Sequence, residues 1–205
     1  VKKDTKITGG GNLILGSESF KNAELKGNTG DGSSITYELT GGATMANTNS
    51  NRYFRWTTVG AYVAKGVTLC LSVMYKPVSG ADEFCMEIAY TAGYSTSQSW
   101  ATIKPTDQLE IEQTDGWVLR YGLWTPPDNA TLKLVDMGSG TTHAGTGNYT
   151  NKFSLLHPML QYGNAPTAWN ASSGDYLTQE SAKSLFSQTA DEIKTEVTKS
   201  VTETV

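Results

Sequence analysis

Two neighbouring segments of the chain alternate, residue by residue, between large apolar side chains and small or polar ones. In residues 66–76 the large apolar side chains occupy every second position: Leu69, Leu71, Val73 and Tyr75. In residues 84–90 they do so again: Phe84, Met86, Ile88 and Tyr90. A period of two places such a set on one face of an extended strand, and it does not suit a helix. The two segments therefore predict a β-hairpin joined by a turn at residues 77–82.

Shorter segments of the same kind recur along the chain, separated by clusters of glycine, asparagine and proline. They lie at residues 34–39, 52–58, 109–112, 117–124, 130–135 and 152–162. The glycine- and asparagine-rich residues 41–51 are predicted to form a turn, and residues 91–104 a loop. Roughly eight or nine short strands at this spacing indicate an all-β sandwich or jelly roll. We assign residues 12–171 to that domain and residues 1–11, which are polar and then glycine-rich, to a linker or arm.

Charge and hydropathy argue against two classes of partner. Sixteen Lys and Arg against 20 Asp and Glu give a net charge of −4. Without a basic patch, nucleic acid is not expected as a partner. No apolar run reaches the roughly 20 residues that cross a bilayer, so membrane insertion is not expected either. Cys70 and Cys85 would be several residues out of register in the predicted hairpin, which favours two buried free thiols over a disulfide.

The composition changes from Tyr176 onward, where glycine and proline disappear. Thr178, followed by Gln-Glu-Ser-Ala, predicts the start of a helix. Apolar residues then recur at steps of three and four: Phe186, Ala190, Ile193, Val197 and Val201. A helix with so narrow an apolar stripe is not stable alone in water, and parallel copies of itself are its simplest partners. Residues 172–205 are therefore predicted to form a C-terminal α-helix that oligomerises as a coiled-coil stalk.

Residues 152–169 also carry a recognisable pattern. They resemble the ending of small jelly-roll modules in bacteriophage tail and baseplate proteins, which has the pattern Pro-x-Leu-Glu-x-Gly-x-x-x-Thr-x-Trp. The residues that match this pattern are Pro158, Leu160, Gly163, Thr167 and Trp169. Gln161 replaces the usual acid. Residues 12–20, Asn-Leu-Ile-Leu and then Ser and Phe, resemble the way these modules begin. The modules are similar to xylanase-associated carbohydrate-binding modules, so the resemblance implies a jelly-roll sandwich whose ligand is a saccharide.

The C-terminal segment resembles a known family as well. Residues 187–197 are similar to a recurrent helical segment of phage tail-tip and tail-associated proteins, which are generally trimeric. This resemblance implies a virion protein of a phage tail, or one encoded by a prophage. Such a protein would form a homotrimer through its C-terminal helix and pack against other tail proteins. Related modules often hold a structural calcium ion near the first strand, where Glu18 could contribute, and no other cofactor or metal is expected.

Saccharide binding needs an aromatic ring that stacks on the apolar face of a sugar and polar groups that bind its hydroxyls. By parity, one face of residues 117–124 is predicted to be core: Trp117, Leu119, Tyr121 and Leu123. Trp124 and Arg120 would then share the outward face, and Glu87 would face outward on its own strand. The other aromatic candidates are not clearly committed to the core. The predicted ligand contacts are therefore Trp124, Trp100, Tyr94, Trp56, Arg120 and Glu87.

Three functions from different classes stay open. The first is a non-catalytic tail-tip module that binds host cell-surface polysaccharide. The second is a structural spacer that packs against neighbouring tail proteins and binds no sugar. The third, a hydrolase acting on cell-wall glycan, needs two carboxylates about 5 to 10 Å apart, for which Glu87, Glu110 and Glu112 are the candidates. No catalytic motif appears in the sequence, so no catalytic residue is predicted and the chain is not expected to be an enzyme.

Overall fold

The computed structural model of the chain describes residues 11–28, 32–140 and 148–172. Their regular secondary structure consists of β-strands, apart from two 3-10 turns at Phe20–Asn22 and Pro105–Asp107. The strands are β1 (Glu24–Asn28), β2 (Ser34–Tyr37), β3 (Ala43–Thr57), β4 (Tyr62–Val63), β5 (Leu69–Gly80), β6 (Phe84–Ala92), β7 (Gln98–Ile103), β8 (Leu109–Glu112), β9 (Val118–Trp124), β10 (Ala130–Ser139) and β11 (Tyr149–Tyr162). The expectation of an all-β domain is therefore confirmed for this part of the chain.

Two antiparallel sheets share the long strand β3. Sheet I has the order β1–β3–β10–β6–β7, with β4 beside the start of β10. Sheet II has the order β2–β3–β11–β5–β9–β8. The first half of β3, as far as Ser50, pairs in sheet II, and its second half pairs in sheet I. Asn49, just before the change of sheet, has a φ of 45°, a conformation that asparagine tolerates better than most residues.

The apolar core lies between the two sheets. In sheet II, Leu71 of β5 is opposite Leu160 of β11, and in sheet I, Ile88 of β6 is opposite Val135 of β10; all four are 0% exposed. Burying a side chain of this size stabilises the fold by roughly 1.5–3 kcal/mol. Two aromatic clusters add to this core: Phe20 with Phe54 and Trp56, and Tyr75 with Phe84 and Phe153.

Trp56 belongs to this core. It is 1% exposed, and its ring centroid lies 4.9 Å from that of Phe20 in an edge-to-face arrangement. Phe54 and Trp56 point inward from β3, while Arg55 between them points outward. A side chain enclosed in this way is not available to a ligand, so the prediction that Trp56 contacts one is wrong.

The predicted hairpin of residues 66–76 and 84–90 is also wrong. Both segments are strands, but β5 pairs with β9 and β11 in sheet II, whereas β6 pairs with β7 and β10 in sheet I. The residues between them therefore cross from one sheet to the other. Cys70 and Cys85 are nevertheless both buried and free, as predicted.

Two stretches predicted as turn or loop are strand. Residues 43–51 are the first half of β3, and residues 98–103, including Trp100, form β7. Both stretches are rich in Thr, Asn, Ser and Gln, residues that also mark turns, so the alternation with buried positions such as Ala43 and Met45 was hidden.

Side-chain hydrogen bonds hold the chain that follows the closing strand β11. Gln161 Nε2 donates to the Ala165 carbonyl at 2.8 Å, and Thr167 Oγ1 donates to Gln161 Oε1 at 2.7 Å. The Trp169 indole donates to the Pro158 carbonyl at 3.2 Å, and its ring stacks on His157 with centroids 4.4 Å apart. Trp169 thus borders a cavity over Ser72, Met74 and Met159 of sheet II. The amide of Gln161 therefore positions the segment that ends in Trp169.

Asn12 attaches the start of the domain to the same strand. Its Nδ2 donates to the Pro158 carbonyl at 2.9 Å, and its Oδ1 accepts from the Leu160 and Ile14 amides at 3.1 Å. Of the arm at residues 1–11, only Gly11 lies within the described residues. The predicted helix at residues 172–205, with the coiled coil and trimer expected of it, lies outside them except for Ser172. In the part of the chain that the structure describes, no helix is long and apolar enough to cross a membrane.

Candidate functional site

A row of polar and charged side chains crosses four neighbouring strands on the outer face of sheet I. In register across the sheet, these are Thr102 of β7, Glu87 of β6, Asp136 of β10 and Arg55 of β3. The row faces away from the core, because the residues that alternate with it on these strands are core residues. Side chains directly opposite one another have Cβ atoms only about 5 Å apart, so these groups interact.

Arg55 and Asp136 form a bidentate ion pair within this row. Arg55 Nε donates to Asp136 Oδ1 at 2.8 Å, and Nη2 donates to Oδ2 at 2.6 Å. The Asp136 side chain is 0% exposed and that of Arg55 is 17% exposed. The hydrogen bonds that Arg55 donates to Asp136 raise the pKa of Arg55 above its ordinary value. Two parallel bonds to a buried carboxylate hold the guanidinium plane in one orientation.

Trp100 lies on the same outer face, two residues before Thr102 on β7. It is opposite Ala89 of β6, whose small side chain leaves room for an indole ring above the sheet. The guanidinium carbon of Arg55 is 5.3 Å from the centroid of the Trp100 ring, within the roughly 6 Å range of a cation–π contact. Trp100 is half-buried, so part of it meets solvent. We call Trp100, Arg55, Asp136 and Glu87 the Trp100 platform.

Glu87 occupies the outward position predicted for it, but it is 0% exposed. Thr102 Oγ1 donates to Glu87 Oε1 at 3.0 Å. A carboxylate without solvent access does not contact a bound sugar, so the prediction of Glu87 as a ligand contact is wrong. Because Glu87 is next to Asp136 in the sheet, it makes the layer beneath Trp100 acidic.

Arg120 faces the core side of sheet II rather than solvent. It is opposite Val73 of β5 and is 5% exposed. It donates to both carboxylate oxygens of Asp82, at 2.9 and 2.7 Å, and its Nε donates to Glu110 at 2.9 Å. Its guanidinium carbon is 3.9 Å from the centroid of the Tyr75 ring. Arg120 therefore joins β9 to the chain just before β6, and its predicted role as an outward ligand contact is wrong.

The remaining two predicted contacts lie elsewhere in the fold. Trp124, at the end of β9, packs against the core, and its ring centroid is 4.6 Å from that of Tyr90 of sheet I. Tyr94 is fully exposed on the turn between β6 and β7. Both stay predictions as ligand contacts. Of the six predicted contacts, the structure brings Trp100 and Glu87 together on one face.

The carboxylates proposed for hydrolysis are distributed over both sheets. Glu110 and Glu112 are on β8 of sheet II, where Glu110 pairs with Arg120, whereas Glu87 is buried on the outer face of sheet I. Glu18 Oε1 accepts a hydrogen bond from Asn22 Nδ2 at 2.5 Å. Within residues 11–28, 32–140 and 148–172, no group of three or more His, Cys, Asp and Glu is arranged to hold a metal ion. A structural calcium ion near Glu18 stays a prediction.

Sequence reasoning missed Arg55 and Asp136, which fix the platform. The signal for Arg55 was present in residues 52–58, where Tyr53, Arg55 and Thr57 alternate with Phe54 and Trp56. Assigning the two large apolar residues of this set to the core would have placed Arg55 outward. The acid in the middle of β10 had no comparable signal, because its partner is 81 residues away in the sequence.

No family model matches the chain, and no curated protein matches it in sequence. Among solved structures, it is similar to the enzymatically active domain of tailspike protein 4 from bacteriophage CBA120, at 12% identity and a TM-score of 0.46. That match covers 74% of this chain and 21% of that chain. The chain thus spans about a fifth of the tailspike domain's length.

Two further similar structures contain carbohydrate-binding modules. One is the endo-1,4-beta-D-xylanase 10B of Clostridium thermocellum, with its CBM22-1 and GH10 modules in complex with xylohexaose (13% identity, TM-score 0.46, 74% of this chain and 29% of that chain). The other is a family 16 carbohydrate-binding module (15% identity, TM-score 0.43, 73% of this chain and 99% of that chain). Identities and TM-scores this low assign no ligand to this chain.

Proposed function

We propose that this chain is a non-catalytic saccharide-binding module, a jelly-roll sandwich that holds its ligand on the Trp100 platform. The observation that carries the proposal is the double contact of Arg55, which is fixed by Asp136 and lies 5.3 Å from the Trp100 ring. A half-buried indole is thereby held on an outer sheet face before any ligand arrives. Such preorganisation lowers the entropy cost of binding.

The groups around Trp100 suit a sugar ring. The indole offers an apolar surface for the C–H face of a pyranose. Thr57 of β3 and Gln98 of β7 are exposed, and their strand parity puts them on the same face as Trp100. Their hydroxyl and amide groups are available to hydrogen-bond sugar hydroxyls, which gives one ring and a few polar groups, as ligand sites usually do.

The biological setting of the proposal is a phage tail. It rests on the resemblance of residues 152–169 and 187–197 to phage tail proteins. In this setting the chain is part of the virion or encoded by a prophage, contacts other tail proteins and forms a homotrimer through residues 172–205. The ligand is then a host cell-surface polysaccharide. Three weak sites on one assembly would bind a repeating polymer far more tightly than one site does.

Trp100→Ala tests the site directly. The wild-type protein and the variant are applied to an array of bacterial surface polysaccharides, and any ligand found is titrated. We expect binding by the wild type and loss of binding by Trp100→Ala. Trp117→Ala, which removes an aromatic ring outside the platform, should bind like the wild type. Equal binding by Trp100→Ala, with its thermal stability unchanged, would remove the platform from the proposal.

A structural spacer is the second candidate, and one observation favours it. Leu109 and Ile111 of β8 and Leu123 of β9 are exposed by 52%, 43% and 40% on one edge of sheet II. Exposed apolar side chains at a sheet edge suit packing against another subunit. If the chain is a spacer, Leu109→Ser with Ile111→Thr should lower its association in analytical ultracentrifugation, and no polysaccharide should bind. Unchanged association of the double variant argues against the spacer.

A further inference from the structure

A second cavity lies at one end of sheet II, where β5 begins and β11 ends. Its volume is about 360 Å³, and it is lined by Gly66, Val67, Thr68, Tyr162, Gly163 and Asn164. Tyr162 is opposite Leu69 in the register of these two strands, which brings the two lining segments side by side. None of the six lining residues belongs to the Trp100 platform, which is on the outer face of sheet I.

Hydrogen bonds between loops hold the walls of this cavity. The Tyr162 hydroxyl donates to the Tyr62 carbonyl at 3.0 Å, which fixes the ring. The Gly163 amide donates to the Thr68 carbonyl at 2.9 Å. The hydroxyls of Thr68 and Thr125 are 2.8 Å apart. These three hydrogen bonds join segments that are distant in the sequence, so the cavity does not depend on a ligand for its shape.

The lining chemistry limits what the cavity can take. The lining side chains carry one aromatic ring, the two hydroxyls of Thr68 and Tyr162, one amide and no charge. At the rim, Gly66 has a φ of +81°, and a Cβ atom placed there would meet nothing within 4 Å, so the mouth is open. A ring with a few polar groups is typical of small-ligand sites, and the volume is close to the lower limit of about 300 Å³ for such pockets. It suits one uncharged ring better than a chain of them.

We infer that this cavity is a second saccharide site, which takes the terminal residue of a neutral glycan. The ligand class rests on the proposed function, whereas the site itself rests on the cavity alone. A cavity of about 360 Å³ holds little more than one sugar ring, whereas the Trp100 platform, on the outer face of sheet I, allows a chain to run past on either side. The two sites would thus bind different parts of a polysaccharide.

The test is an NMR titration of the ¹⁵N-labelled protein with glucose, galactose, rhamnose and N-acetylglucosamine, each used alone. We expect saturable shifts of the Gly66 and Gly163 amide resonances with at least one of these sugars. Val67→Trp fills the cavity and should abolish the shifts. Val78→Trp is the matched control, since Val78 is also an exposed valine, on the far part of β5, and it should titrate like the wild type. Thr68→Val keeps the shape and removes a hydroxyl, so it should bind several-fold more weakly.

The outcomes separate the two sites. Trp100→Ala should retain monosaccharide binding while losing polysaccharide binding. If none of the four sugars gives saturable shifts at Gly66 and Gly163, or if folded Val67→Trp titrates like the wild type, the cavity is not a saccharide site. That result would leave the Trp100 platform untouched. Conversely, if Trp100→Ala keeps its polysaccharide but Val67→Trp loses the monosaccharide, the platform is wrong and the cavity stands.

Discussion

Arg55 donates two hydrogen bonds, 2.8 and 2.6 Å long, to the carboxylate of Asp136, which solvent does not reach. The two residues are opposite each other on β3 and β10, so the strand register itself brings them together. Water does not reach the Asp136 carboxylate in the folded protein, so it cannot replace Arg55 as the partner unless the strands separate. The ion pair therefore stabilises the fold and orients the surface on which Trp100 rests.

Because Asp136 is buried, replacing Arg55 should strongly lower the free energy of unfolding. Arg55→Met leaves the Asp136 carboxylate buried without its main partner, and breaking a buried pair in this way costs about 3–5 kcal/mol. The free energy of unfolding, measured by urea denaturation, should fall accordingly. Lys26→Met is the control, since Lys26 pairs with the exposed Glu24 of its own strand, β1; it should change stability by less than about 1 kcal/mol. Equal effects of the two substitutions would contradict the role given to burial.

Arg120 pairs with two carboxylates, yet its removal should destabilise the fold less than that of Arg55. Its partners Asp82 and Glu110 have side chains exposed by 44% and 47%, so water can solvate both carboxylates once the guanidinium is gone. Methionine retains much of the packing against Tyr75. We expect Arg120→Met to lower the free energy of unfolding by about 1–2 kcal/mol, in the range of ordinary hydrogen-bond losses. A loss larger than that of Arg55→Met, measured under the same conditions, would show that the exposure of the partners does not decide the cost.

The parity of β9 shows why one class of prediction failed. Trp117, Leu119, Tyr121 and Leu123 form the more apolar set, but Arg120 and Gly122 are the buried residues of the strand. An arginine points inward because Asp82 and Glu110 meet it there. Position 122 is also on the inward face, and it holds a glycine because a Cβ atom there would come within 2.3 Å of Ile103 Cγ2. Both reasons are contacts between distant parts of the chain, which hydrophobic alternation does not encode.

Features that depend on local pattern were predicted well. Seven of the predicted strand segments contain or overlap strands, and the closing segment at residues 152–162 lies within β11. Trp100 was predicted to lie in a loop and not to be clearly committed to the core; it lies in β7 and outside the core cluster. The pairing of strands was not predictable in the same way, since β5 and β6 are neighbours in sequence but belong to different sheets. The platform followed only from that pairing, because it needs β7, β6, β10 and β3 side by side.

The two thiols should be unreactive in the folded protein. Burial raises the pKa of Cys70 and of Cys85 to about 12, so almost no thiolate forms at neutral pH. Iodoacetamide at about pH 8 should leave both cysteines unmodified, whereas the same reagent in denaturant should modify both. Mass spectrometry of the intact protein counts the adducts. Rapid modification of either thiol under native conditions would show that its strand opens or that the residue is accessible.

His157 should make the stability of the domain depend on pH. Burial lowers the pKa of His157 below its ordinary value of 6.5, and its ring stacks on Trp169. The folded protein therefore holds the imidazole neutral under conditions in which the unfolded chain takes up a proton. Because the unfolded state then binds more protons, the free energy of unfolding falls as the pH falls through 6.5 and continues to fall until the lower, folded pKa is passed.

Thermal unfolding between about pH 7.5 and 5.5, above the range in which most carboxylates titrate, measures this effect. The midpoint should decrease across the range for the wild type and stay nearly level for His157→Asn. Asparagine suits the backbone here, since His157 has a φ of 58°, which asparagine also adopts. The substitution removes the stacked ring, so its midpoint should be lower at the upper pH while the slope disappears. The chain has one other histidine, and His143→Asn should keep the wild-type slope. If His143→Asn removes the slope and His157→Asn keeps it, the proton uptake that destabilises the fold does not occur at His157.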